Sequence, residues 1–188
     1  MAKKIGAIAS LAIIGVLIIA TIIMANINIS YNINCETPNS IYVHYKNTNS
    51  PRYISSETQY NEILKLINSA SKTNSLSALF NGSFNKEAQI KSVSGTKTVP
   101  TTSYFYVEYS YSTPQDLMVG NKKYEDSTGN TYTYDRLFFT VNDSSDSSII
   151  NVYVIPNGDK PTTYSHYYEL EADFSNLYNY LMDNNLNA

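Results

Sequence analysis

Hydrophobic residues follow three different spacings along this chain of 188 residues. Residues 5–25 form one apolar run that contains no charged side chain. Two later segments place apolar residues at positions i, i+3, i+4 and i+7, the spacing of one helix face. Other segments have the alternation, or the β-branched and aromatic content, of strands. The pattern therefore predicts a membrane-spanning segment followed by a mixed α+β domain.

The N-terminal run has the length of a single transmembrane helix. As a helix, its 21 residues would span about 30 Å, the thickness of a hydrocarbon core. Lys3 and Lys4 precede it, and no basic residue follows before Lys46. The positive-inside rule then places residues 1–4 in the cytoplasm and the C-terminal part outside the cell membrane. The alternative is a cleaved signal peptide, which would make the protein secreted.

Residues 26–40 are rich in asparagine and predict a linker, so that the extracytoplasmic domain comprises residues 41–188. The alternation of Ile27, Ile29, Tyr31 and Ile33 leaves a continued helix or a first strand open as alternatives. Its first helix is predicted at residues 56–72, where Ser56 and Gln59 form a capping box. Its second helix is predicted after Asp173, a good N-cap residue. The apolar faces of the two helices contain Tyr60, Ile63, Leu64 and Ile67, and Phe174, Leu177, Tyr178 and Leu181, respectively.

Strands are predicted around and between these helices. Residues 41–45 form a first short strand, whereas residues 74–102 have no clear pattern. Four more strands are predicted at residues 104–111, 132–141, 149–155 and 164–170. Their connections are too short for parallel crossovers, so they predict an antiparallel meander. The expected fold is a β-meander sheet packed against two amphipathic helices.

Charge and glycine content exclude two classes of partner. The chain has 13 basic and 16 acidic residues, and its longest basic cluster is Lys122-Lys123. Nucleic acid requires a basic patch, so it is not an expected partner. The seven glycines form no phosphate-binding loop, so neither a nucleotide nor any other cofactor is predicted.

The reactive side chains form no recognisable catalytic or metal motif. Cys35 is the single cysteine, so a disulfide within the chain is impossible, and a Cys35-mediated dimer is the remaining disulfide hypothesis. His44 and His166 lack the spacing of a metal site, and no metal is predicted. Serines are abundant, but none lies in a Gly-x-Ser-x-Gly elbow.

Tyrosine is the most distinctive component, with 18 tyrosines and no tryptophan. Many of them fall in the predicted meander, where about half must point away from the helices. Tyrosine is favoured in interfaces because it is apolar with a polar tip. The candidate binding residues on such a sheet face are Tyr104, Tyr106, Tyr132, Tyr134 and Tyr167.

These observations favour a membrane-anchored, non-enzymatic module that binds an envelope protein or glycan through a Tyr-rich sheet face. A cell-envelope hydrolase and an accessory subunit of a membrane complex are the alternatives. An enzyme predicts several polar side chains that converge in a cleft. If His44 or His166 lay in a pocket with carboxylates, the binding module would therefore be rejected in favour of the enzyme.

Overall fold

The computed structural model describes the following parts of the chain: residues 13–19, 28–30, 33, 35–46, 50–70, 72–74, 88–119, 122–126, 128–142, 149–158 and 163–186. The helices are α1 (residues 13–19), α2 (Glu57–Ala70) and α3 (Ser175–Asp183). The strands are β1 (Asn28–Ser30), β2 (Ser40–Tyr45), β3 (Arg52–Tyr53), β4 (Lys72–Asn74), β5 (Gln89–Thr98), β6 (Phe105–Asp116), β7 (Met118–Val119), β8 (Lys122–Lys123), β9 (Thr133–Val141), β10 (Ile149–Pro156) and β11 (Thr163–Glu171).

The predicted α+β class with an antiparallel sheet is confirmed. The predicted segment 5–25 lies outside the described residues, except for α1. Among the helices that are described, none has the length and apolar character needed to cross a membrane.

The main sheet has seven strands in the order β3-β2-β6-β9-β10-β11-β5, and all neighbouring pairs are antiparallel. Strands β6, β9, β10 and β11 are consecutive neighbours, as in the predicted meander. Two small ladders, β1–β4 and β7–β8, lie outside this sheet.

Strand β5 lies in the region where the sequence showed no clear pattern. It pairs with β11 and forms one edge of the main sheet. Most of its side chains are exposed, and they include Lys97. An edge strand is polar because one side faces water, and charged residues there discourage further pairing. Its polar composition therefore reflects its position in the sheet.

One face of the sheet packs against α2 and α3, and this contact is the helix-side core. Phe105, Val107, Tyr109 and Tyr111 of β6 all point into it, as their alternation predicted. The helices contribute the buried residues Ile63, Ile67, Leu177 and Leu181. Helix residues four positions apart and strand residues two positions apart thus pack in one cluster.

Ser56 caps α2 as predicted, but the predicted N-cap role of Asp173 is wrong. Phe174 is the N-cap of α3 and makes no side-chain cap hydrogen bond, and Asp173 lies one residue before it. The Gln59 backbone N–H donates to Ser56 Oγ at 3.4 Å, and the Ser175 N–H donates to Asp173 Oδ1 at 2.9 Å. Asp173 also donates its backbone N–H to the Ala70 carbonyl at 3.0 Å. This last bond joins the end of α2 to the start of α3.

Residues 28–40, here called the lead-in, are attached to the domain. Strand β1 pairs with β4, and Ile33 and Cys35 pack against the helix-side core. Tyr60 donates its hydroxyl to the Pro38 carbonyl. The Tyr111 hydroxyl donates to the Glu36 carbonyl at 3.1 Å, and the Ser112 N–H donates to Asn39 Oδ1 at 2.8 Å. The described part of this range is therefore fixed by several bonds.

The helix-side core predicts a clear difference between two positions on α3. Leu181 is fully buried, so Leu181→Ala should lower the free energy of unfolding by about 2–5 kcal/mol, through lost burial and a cavity. Asn179 is exposed on the same helix, so Asn179→Ala should change it by less than about 0.5 kcal/mol. Urea unfolding followed by circular dichroism measures both. Equal effects of the two substitutions would contradict the packing of α3.

Candidate binding site

The face of the sheet opposite the helices carries a second buried cluster. Its members are Val99, Tyr106, Phe138, Tyr153, Ile155 and Tyr164. Interior strands therefore bury side chains on both faces: in β10, Val152 and Val154 face the helices, whereas Tyr153 and Ile155 lie in the second cluster. The tyrosines that point away from the helices are consequently not all exposed.

Residues 99–104, here called the strap, cover part of this second face. The strap connects β5 to β6, and β9, β10 and β11 lie between those two strands in the sheet. Val99 of the strap is buried with Phe138 of β9 and Tyr153 of β10. The connection must therefore cross the second face, where it supplies the apolar contacts that the helices supply on the other.

A row of directly paired residues crosses all seven strands on the second face. Directly paired residues on neighbouring strands share a face. The row consists of Tyr53, Tyr42, Glu108, Phe138, Tyr153, Tyr167 and Lys91. Glu108 is thus a carboxylate in the middle of an aromatic row.

Glu108 is held by His44. Its side chain is only 11% exposed, and a buried carboxylate is costly unless it is paired and hydrogen-bonded. His44 Nε2 donates to Glu108 Oε2 at 2.5 Å, across β2 and β6. Because this bond occupies Nε2, a neutral His44 retains Nδ1 as an acceptor. The imidazole also lies 5.1 Å from the Phe138 ring, centroid to centroid.

The imidazole of His44 borders a cleft between the strap and the ends of β2 and β6. The cleft has a volume of about 160 Å³. Its lining comprises His44, Tyr45, Lys46, Val99, Pro100, Thr101, Tyr106 and Phe138. Aromatic and apolar groups thus form its walls, and imidazole, ammonium and hydroxyl groups are the polar components. This composition is typical of small ligand sites, although most of those are larger, at roughly 300–1,000 Å³.

A cluster of aromatic rings adjoins the cleft at Tyr45. The Tyr45 and Tyr104 rings are 5.3 Å apart, and Tyr104 also contacts Tyr178 of α3 at 5.3 Å. Lys46 Nζ lies 4.4 Å from the centre of the Tyr104 ring, within the range of a cation–π contact. The hydrogen bond with Tyr45 raises the pKa of Tyr104 to about 12, so its hydroxyl stays protonated at neutral pH.

The five predicted binding tyrosines lie in different surroundings. Tyr106 lines the cleft, and Tyr167 packs against the second cluster on the same face. Tyr134 is buried in the helix-side core, against which Tyr104 and Tyr132 also pack. The structure therefore brings Tyr106 together with His44, a residue that the sequence did not select for binding. Cross-strand pairing with β6, which sequence periodicity does not reveal, is what unites them.

Comparison with protein-family models, curated proteins and solved structures finds no match to this chain. The geometry of the cleft and of the other reactive side chains is therefore the basis for a functional proposal. Of the two histidines and the one cysteine in the sequence, His44 lines the cleft, whereas His166 and Cys35 lie elsewhere.

His166 lies on the face opposite His44, because it pairs directly with Val154 of the helix-side core. The rings of Tyr132 and Tyr124 lie 4.3 and 5.1 Å from its imidazole. Ser165 Oγ contacts Nδ1 at 3.0 Å and the Tyr132 hydroxyl at 2.8 Å. Burial lowers the pKa of His166 below its ordinary value of 6.5. This environment favours a neutral, packed imidazole.

The two histidines cannot share a metal ion, since they lie on opposite faces of the sheet. No group of three or more histidine, cysteine, aspartate and glutamate residues suited to a metal occurs within the described part of the chain. The Asp126 carboxylate accepts hydrogen bonds from Thr128 and Asn130 within its own turn.

Cys35 borders a small cavity of about 20 Å³ beside Tyr109. Burial raises the pKa of the Cys35 thiol, so less of it is thiolate, the form that reacts in disulfide exchange. A Cys35-mediated dimer stays a prediction, and it would require this part of the lead-in to open.

The environment of His166 predicts a pH dependence of stability. Because its folded pKa lies below 6.5, the unfolded chain binds the proton first. The stabilisation is complete above pH 6.5 and declines as the pH falls from 6.5 towards the folded pKa. His166→Phe should therefore lose less stability than wild type between pH 7.5 and pH 5.5 in urea titrations.

Asp126 and Asp173 do not contribute to the change in stability between pH 7.5 and pH 5.5. Hydrogen bonds from Thr128 and Ser175, respectively, lower the pKa values of these carboxyls below 3.8, so both stay ionised in this window. An identical loss of stability in wild type and His166→Phe would contradict the proposed burial of the imidazole.

Proposed function

We propose that this chain is a membrane-anchored extracytoplasmic module that binds an envelope protein or glycan. Residues 5–25 cross the membrane once, with residues 1–4 in the cytoplasm. The described part of that segment, α1, supports the proposal because its large apolar side chains are 52–66% exposed. A helix that exposes apolar side chains around its circumference is stable in lipid, not in water.

The single observation that carries the binding role is the cleft beside His44. Its aromatic walls suit the apolar side of a ring, and its donors and acceptors can fix the orientation of a polar ligand. The volume of about 160 Å³ suits one ring-sized group, such as one residue of a polymer. The contact surface extends along β2, where Tyr42 lies beside Tyr53, which is 54% exposed.

The strap provides a matched pair for testing the cleft. Thr101 and Thr102 are adjacent and both exposed, but only Thr101 lines the cleft. Thr101→Trp should fill the space and lower binding of the full chain to isolated cell walls at least tenfold. Thr102→Trp should leave binding unchanged. Sedimentation of the detergent-solubilised protein with the walls measures both affinities.

An unchanged affinity of Thr101→Trp would exclude the cleft as the binding site. An equal loss in Thr101→Trp and Thr102→Trp would point to a general effect on the strap instead. Circular dichroism of both variants identifies that case, because a displaced strap would also lower the unfolding temperature.

A second candidate function, envelope hydrolase, is favoured by the His44–Glu108 contact. A carboxylate that orients a histidine at a cleft is the arrangement of a general base, and it supports the enzyme. The criterion for rejecting the binding module is met only in part, because Glu108 is not among the described residues that line the cleft. The nucleophile for such a base would be water, because Glu108 is the hydrogen-bond partner of His44 within the described residues. A second acidic group, needed to protonate a leaving group in most glycoside hydrolysis, is absent from the cleft lining that is described.

His44→Gln separates the two functions. A glutamine amide can still donate to Glu108 but cannot move a proton in the manner of imidazole. If the chain is a binding module, His44→Gln should retain wall binding within about threefold, and neither protein should release soluble fragments from the walls. Fragment release by wild type that falls at least a hundredfold in His44→Gln would establish the hydrolase instead.

A further inference from the structure

The described residues of the lead-in are paired with, bonded to or packed against the domain at several points. We propose that the domain lies directly against the bilayer surface, with the β1–β4 ladder and the C-terminal end of α2 nearest the lipid. This orientation rests on the proposed anchor at residues 5–25. It concerns a different surface from the cleft, and the partner is the bilayer itself.

Chain length limits the distance between the end of the proposed anchor and the start of β1. Two residues, 26 and 27, separate the end of the predicted anchor from β1 in the sequence. A fully extended chain spans at most about 3.6 Å per residue, so the Cα atom of Asn28 lies within roughly 11 Å of that of Ala25. This limit holds for any conformation of the intervening residues.

The contacts of the lead-in also limit the distance between the anchor and the domain, because residues that are bonded to the domain cannot act as a flexible tether. Pro38 is buried, and its carbonyl accepts from Tyr60 on α2. Glu36 and Asn39 accept from Tyr111 and Ser112 of β6. A free linker over residues 26–40 would instead have a root-mean-square length of about 20 Å and would allow any orientation.

The small ladder lies where the chain from the proposed anchor meets the domain, so in the proposed orientation this side of the domain faces the lipid. Asn28 pairs with Asn74, and Ser30 pairs with Lys72. Strand β4 follows α2 after a single residue, so the ladder adjoins the C-terminal end of that helix. Positions late in α2 should therefore lie closer to the bilayer than positions early in it.

The sequence contains no tryptophan, so a single introduced tryptophan can report the distance of its position from the bilayer. Asn61 and Asn68 are both exposed on α2. They lie seven residues apart, so they share one side of the helix at a separation of about 10.5 Å. Each is replaced by tryptophan in the full chain, which is reconstituted into phosphatidylcholine vesicles that carry a dansyl-labelled headgroup lipid.

Energy transfer from tryptophan to dansyl should be greater from Asn68→Trp than from Asn61→Trp by at least twofold. A matched control inserts eight Gly and Ser residues between Asn26 and Ile27. This insertion should reduce transfer from both positions and remove the difference between them, because it converts the fixed connection into a tether.

Three results would contradict different parts of the proposal. Equal transfer from the two positions in vesicle-bound protein, or greater transfer from Asn61→Trp, would overturn the orientation while leaving the anchor intact. A chain that does not float with the vesicles in a density gradient would overturn the anchor, and with it the proposed function. Unchanged transfer after the insertion would also reject the fixed connection.

Discussion

The fold depends on the need to bury both faces of a seven-stranded sheet. Interior strands such as β10 carry large apolar side chains on both faces, and the two helices bury only the side chains of one face. The strap covers part of the other face, with Val99 over Phe138 and Tyr153. It does so without secondary structure of its own, since a connection that crosses three strands is imposed by the sheet order.

The polar chemistry of the domain follows from the same constraint. Glu108 occupies one position in a row that is otherwise largely aromatic, and burial of its carboxylate requires a partner. His44, on the neighbouring strand, provides that partner and lines the cleft together with residues of the strap. The cleft is therefore a place where a histidine that is hydrogen-bonded to a largely buried carboxylate, aromatic rings and an irregular connection lie side by side.

Local periodicity was sufficient to predict α2, α3 and the meander. Ile63 and Ile67, or Phe105 and Val107, mark a buried face within a few residues of sequence. The strap and the site were not predictable in this way. The strap has no periodic apolar pattern, and only the packing of Val99 against later strands shows that this connection covers a sheet face. His44 and Glu108 are 64 residues apart, and nothing in their local sequences records the pairing of β2 with β6. Likewise, the asparagine-rich lead-in resembles a linker until its contacts with Tyr60 and Tyr111 are known.

The path of the strap has a consequence for the order of folding. Its partners Phe138, Tyr153 and Tyr164 all follow it in the sequence, so during synthesis the strap leaves the ribosome before the strands that it covers. Contacts between distant parts of a chain form slowly, because loop closure must precede them. The second face can thus close only after β9, β10 and β11 have assembled. The cleft, which the strap borders, therefore cannot take its final shape before those strands have paired.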